Sequence, residues 1–234
     1  MTDKKEPAEN RLKETARVEF FSDGVFAIAI TLLVLELIQL LHPQNGEIPL
    51  KSYFQHWEPL VAFLIGFLTI MVCWINHHHV FGYIKRTDSK LLWLNGFVLL
   101  MITFTPFPTA ILAEYLGSDG KFALSIYGFN YFMIALASYW LCAYSYNKFL
   151  IDNDDREFFN CVKLTYAYSI PYTFVAFLAC FIYIPAAIVL YLLLFYVFAF
   201  PKEFATRLLK RKQEKIRKSK LNRKNLQDDI STIP

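Results

Sequence analysis

The sequence predicts an all-α membrane protein with six transmembrane helices and both termini in the cytoplasm, and three observations carry that prediction. Of the 234 residues, 56% are hydrophobic and 18% aromatic, which is too apolar for a soluble domain of this size. The apolar residues gather into runs at roughly 18–41, 58–84, 90–116, 122–148, 160–180 and 183–201, each near the length of about 20 residues that a spanning helix needs. Lys and Arg alternate between the connections, which sets the sidedness.

Residues 1–16 are polar and of mixed charge, and are expected to be a frayed cytoplasmic segment ahead of the first helix. A polar stretch of that length before the first apolar run does not fit a cleavable signal peptide. Arg17 and the four basic residues before it, Lys4, Lys5, Arg11 and Lys13, mark the start of the chain as cytoplasmic. Lys85, Arg86 and Lys90 mark the second connection, and Lys148, Arg156 and Lys163 the fourth. The first and third connections have only Lys51 and Lys121, and the tight turn around Tyr183 to Pro185 has no basic residue. One missed helix would invert every later assignment, so the alternation supports the whole set.

Residues 17–201 form the six-helix membrane domain on this reading. The outside connection from His42 to Trp57 contains Pro43, Asn45-Gly46 and Pro49, which favour turns. Cys73, Cys142, Cys161 and Cys180 lie in or beside apolar runs without metal-like spacing and read as small buried hydrophobes. Residues 202–234 have a basic surplus of seven and read as a cytoplasmic helix or tail, its basic face turned to solvent or to anionic lipid. A basic tail attached to a membrane helix marks the cytoplasmic side rather than a nucleic-acid partner. No internal repeat is evident.

The first run, Arg17 to Leu41, keeps Ser22, Asp23, Glu36 and Gln39 within its length. A carboxylate at membrane depth is costly unless it faces protein or water, so Asp23 is either functional or lies at the headgroup boundary. On a helical wheel Ile28, Leu32 and Leu35 fall within about 40° of each other, with Phe21 and Gln39 on the same stripe. Thr31 flanks the stripe by about 60°, and Asp23 falls about 140° away. Burial of Asp23 against protein then leaves the aliphatic stripe facing either lipid or a symmetry axis.

Other residues join this picture. The run Arg17-x-x-x-Phe21-Ser22-Asp23, then Trp74-x-x-His77, Leu94-Asn95 and Pro106-Phe107-Pro108, resemble the helix signatures of the transmembrane protein 175 family of endolysosomal potassium channels and their prokaryotic relatives. The resemblance covers about residues 11–201 and leaves the tail uncovered. It implies a homotetramer for a chain with one six-helix set, with four first helices lining a central pore. Ile28 matches the family's constriction, and Leu32 and Leu35 continue the lining outward. The family pattern also packs Arg17, Phe21, Ser22 and Asp23 as an anchor against the second and third helices, near Trp74, His77 and Asn95.

The expected function is a potassium channel, a cation channel selective for K+ over Na+, in a prokaryotic cell membrane. An aliphatic ring closes a pore by dewetting, and opening must widen or wet it. The first helix has no internal Gly or Pro beyond Gly24, so a carbonyl filter at membrane depth is not expected. Preference for K+ falls instead to side chains and pore width, with Thr31 as the candidate. The ion path is assigned to Ile28, Thr31, Leu32, Leu35 and Gln39, and Glu36 and Gln39 near the outer end could concentrate cations.

Two other classes remain open. A proton-coupled secondary transporter or a proton-leak channel would use Asp23 and His77. A metal-dependent membrane enzyme would draw on His77-His78-His79, but consecutive helical residues point about 100° apart and cannot easily share one ion. The expectation is therefore no enzyme, no metal and no cofactor beyond permeant K+. The expected partners are further copies of the chain, membrane lipid and monovalent cations, with no nucleic acid. His77 is expected to pair with Asp23.

Overall fold

The structure is a computed structural model that describes residues 8–40, 58–115, 118–148 and 150–199, and beyond them 206, 207, 209–211, 214 and 218, which are helical. The predicted connection around His42 to Trp57 and most of the basic tail lie outside the described residues.

Helix α1 (Ala8–Leu40) is continuous and starts well before the apolar run, so the expected fraying up to residue 16 is corrected for residues 8–16. That stretch, AENRLKETA, is made mostly of strong helix formers and follows Pro7 in the chain, so local propensity extends the helix beyond its hydrophobic part. Its buried positions Ser22, Phe26, Ala29 and Leu33 recur at helical spacing and form one face. Against that face pack α2 (Glu58–Tyr83), α3 (Ser89–Phe104) and α4 (Pro106–Tyr115).

The third predicted run is a broken helix. Pro106 and Pro108 cannot donate to the helical ladder, and at the break Thr105 N–H turns to Ile102 O at 3.0 Å in a tighter turn. The Thr105 hydroxyl donates to Met101 O at 3.1 Å and accepts from Asn130 Nδ2 at 3.0 Å. Side chains thus occupy polar groups that the prolines would otherwise leave unpaired at membrane depth.

Asn130 belongs to α5 (Gly120–Asn147), which lies along α6 (Arg156–Ile182); α7 (Ile184–Ala199) folds back from α6 after Tyr183. Among the described residues, five segments are long and apolar enough to cross a bilayer: Thr15–Ile38, Glu58–Tyr83, Ser89–Tyr115, Gly120–Asn147 and Arg156–Ile182. Helix α7 corresponds to the sixth predicted run but has 16 residues, about 24 Å at helical rise, against a hydrocarbon core of about 30 Å.

The second and fourth connections meet at one end of the bundle. Lys85 N–H donates to Leu150 O at 2.8 Å, Ile84 and Ile151 form an antiparallel bridge, and the Tyr144 hydroxyl donates to Asp88. The basic residues grouped there include Lys163 and Arg156, both over the ring of Tyr146.

Gly66 lets α2, α4 and α1 approach closely. A Cβ at that position would lie 2.8 Å from Thr109 Cγ2 and Oγ1 and 3.2 Å from Leu33 Cδ2, while the Thr109 hydroxyl is held by Thr105 O at 2.9 Å. Gly66→Ala is expected to destabilise the protein by about 1–3 kcal/mol. Thermal unfolding of the purified protein in detergent measures it, and an unchanged transition would show that the helices part without cost.

Candidate functional site

The two faces of α1 differ in chemistry and in what covers them. On the covered face Ser22 is fully buried, and its hydroxyl donates to Val18 O at 2.8 Å and accepts from Asn95 Nδ2 at 3.0 Å. Asn95 Oδ1 lies 2.8 Å from His77 Nε2. A carbonyl oxygen only accepts, and the Asn95 amide already donates to Ser22, so His77 carries its proton on Nε2. The imidazole is also held by rings: Phe81 stacks on it at 4.4 Å between centroids, and Phe26 meets it at 5.3 Å. Three helices are tied by this chain of bonds, Ser22 on α1, Asn95 on α3 and His77 on α2.

Asp23 is half-buried, and its Oδ1 accepts from Trp74 Nε1 at 2.8 Å. This corrects the expected pairing with His77. Trp74 and His77 stand about 60° apart on α2, so the longer indole reaches α1 while the imidazole is turned to Asn95 on α3. Trp74 in turn stacks on His78 at 5.9 Å.

The expected anchor also shrinks. Arg17 and Phe21 are exposed and fall within about 20° of Ile28 on the wheel, whereas Ser22 and Asp23 lie a third of a turn or more away. Among the described residues, Ser22 and Asp23 are bonded to other helices, while Arg17 and Phe21 line a groove with Leu92 and Gly96 of α3.

The uncovered face displays Ile28 at 60% exposure, Leu32 at 37% and Leu35 at 54%. Thr31 is exposed beside them, and its hydroxyl proton is engaged by Ile28 O at 2.8 Å. Its oxygen lone pairs are left to meet a cation or water. Glu36 is half-buried, and the Gln39 side chain lies outside the described residues.

Two parts of this arrangement escaped the sequence reading. Phe26 is the ring that closes His77 from the α1 side, and its position four residues after Ser22 was the available signal. The direct donor to Asp23 is Trp74, which only the rotation of α2 reveals.

Comparison with known proteins gives a consistent neighbourhood. The family model described as endosomal/lysosomal potassium channel TMEM175 matches residues 17–106. A protein of Chamaesiphon minutus named a potassium channel is 40% identical over 173 residues, which is 72% of this chain and 85% of that one. The crystal structure of a lysosomal potassium-selective channel TMEM175 homolog from Chamaesiphon minutus superposes with a TM-score of 0.72 at 36% identity, covering 81% of this chain and 98% of that chain. A Gallus gallus protein named endosomal/lysosomal proton channel TMEM175 is 32% identical over 106 residues, 42% of this chain and 21% of its own length.

Proposed function

The chain belongs to the TMEM175 family, and from that membership we propose that it is a multi-pass, potassium-permeable cation channel in which four copies surround one pore lined by α1. The family is a channel family and not an enzyme class. The observation that carries the reading is the two-faced α1: one face is fixed by Ser22, Asn95, His77, Asp23 and Trp74, while the opposite apolar stripe stays exposed among the described residues. Exposed aliphatic residues on a membrane helix also suit lipid. Membership in a channel family favours a symmetry axis for this particular stripe.

Ile28, Leu32 and Leu35 then form successive apolar layers, and a dewetted layer blocks ions because it replaces none of their hydration shell. Helix α1 runs unbroken from Ala8 to Leu40, so its carbonyls are used within the helix and a carbonyl filter is not built from it. The Thr31 oxygens, four in a tetramer, are the polar layer assigned to the K+ preference, with Gln39 lining the outer end. The protein would act in the prokaryotic plasma membrane.

Ion-substituted flux through the purified protein in liposomes tests this. Potassium is expected to pass faster than sodium without a coupling ion, and equal rates would remove the potassium assignment. The vertebrate relative named a proton channel supports a second reading, in which protons permeate too. A pH dye trapped in the same vesicles distinguishes it. A proton relay between Asp23 and His77, the transporter alternative, finds Asp23 bonded to Trp74 and His77 to Asn95. Single-channel openings would exclude that alternative.

A further inference from the structure

Helices α2, α3, α5, α6 and α7 line a cavity within the protomer to which α1 contributes no residue. It leaves about 40 Å³ in which the centre of a water molecule fits. One water needs about 10–15 Å³ by this measure, so the space suits about three. Its walls are mainly apolar, but a few hydroxyl- and thiol-bearing residues interrupt them. Tyr131 and Tyr166 line it, at 9% and 6% exposure, and neither phenol has a hydrogen-bond partner among the described residues. Ser138, Cys73 and Cys142 join the lining. Within a membrane-spanning bundle an unmet hydroxyl has no solvent to turn to and carries the full cost of its lost hydration.

We propose that this cavity is a hydration site, holding about three ordered waters that bridge Tyr131, Tyr166 and Ser138. A water needs two to four polar partners to stay, and these hydroxyls provide them from α5 and α6. His77 is also in the wall. Its Nε2 is committed to Asn95 on α3, so the waters meet other atoms of the ring. The anchor of α1 is thereby backed by exchangeable protons inside each protomer, and this holds whether or not α1 lines a pore.

Thiol exchange in deuterium oxide, followed by the infrared S–H stretch of the full-length protein in detergent, tests the proposal. Cys142 and Cys180 are equally sealed from outside, at 1% and 0% exposure. Cys142 faces the cavity, whereas Cys180 donates to Ala176 O at 3.3 Å. Cys142→Ala and Cys180→Ala assign their own bands among those of the four thiols. Cys142 is expected to exchange about tenfold faster than Cys180, as a wet cavity requires and a dry one forbids. Equal, slow exchange would overturn the hydration site. Tyr166→Phe with Ser138→Ala is expected to slow Cys142 while leaving Cys180 unchanged, and Tyr131→Phe is the alternative should that pair not fold. Fast exchange at Cys142 that persists in these folded variants would assign it to general opening of the bundle, and the proposal would fail.

Discussion

Ile28→Asn is expected to raise potassium flux through the reconstituted protein by about tenfold or more, because the barrier at a dewetted ring is set by water's reluctance to enter it. Burying an isoleucine side chain away from water is worth about 1.5–3 kcal/mol, and a change of 1.36 kcal/mol in a barrier is about tenfold in rate. In the proposed tetramer four copies of the substitution act on one ring, so the effect is not marginal. Ile28 is 60% exposed in the protomer and makes no part of the buried face, so the bundle should fold as before. Its carbonyl accepts the Thr31 hydroxyl through the backbone, which the substitution leaves in place. Leu35→Asn, about two turns further out, is expected to raise flux as well. If flux ignores both changes, the stripe is outside the ion path and faces lipid.

The two faces of α1 were legible in the sequence because both depend on local periodicity. Apolar spacing places Ile28, Leu32 and Leu35 together, and the cost of a carboxylate at membrane depth turns Asp23 the other way. What the carboxylate binds was not legible. Trp74 and His77 sit within one turn of α2, and only the rotation of that helix against α1 and α3 decides that Trp74 takes Asp23 and His77 takes Asn95. Arg17 and Phe21 show the converse: they read as members of one motif with Ser22 and Asp23, yet on a helix they belong to the exposed side. The break at Thr105 was visible as Pro106 and Pro108, but its repair by Asn130 is a contact between residues 25 apart in sequence. The bridge of Ile84 with Ile151 is likewise a long-range pairing that no local pattern signals. The cavity behind His77 depends on five helices at once, and for that reason no stretch of sequence announces it.

Asn95→Ala is expected to destabilise the protein more than Asp23→Ala, although Asp23 is the charged residue. Asn95 is 3% exposed and joins α3 to both α1 and α2, donating to Ser22 and accepting from His77. Its removal leaves a buried imidazole N–H without its acceptor, at about 1–3 kcal/mol, and takes the donor from the Ser22 oxygen, whose proton stays on Val18 O. It also unties α3 from both neighbours at once. Asp23 is half-buried, and among the described residues its loss unpairs the Trp74 N–H, a charge-assisted bond worth about 1.5–3 kcal/mol. Thermal unfolding of the two variants ranks them, and the reverse order would mean that Asp23 has further partners in the assembled protein. Both substitutions act on the covered face, so they are expected to reduce the amount of assembled channel before they change which ions it passes. A fully assembled Asp23→Ala protein with an altered potassium-to-sodium preference would put Asp23 on the ion path and exchange the roles of the two faces.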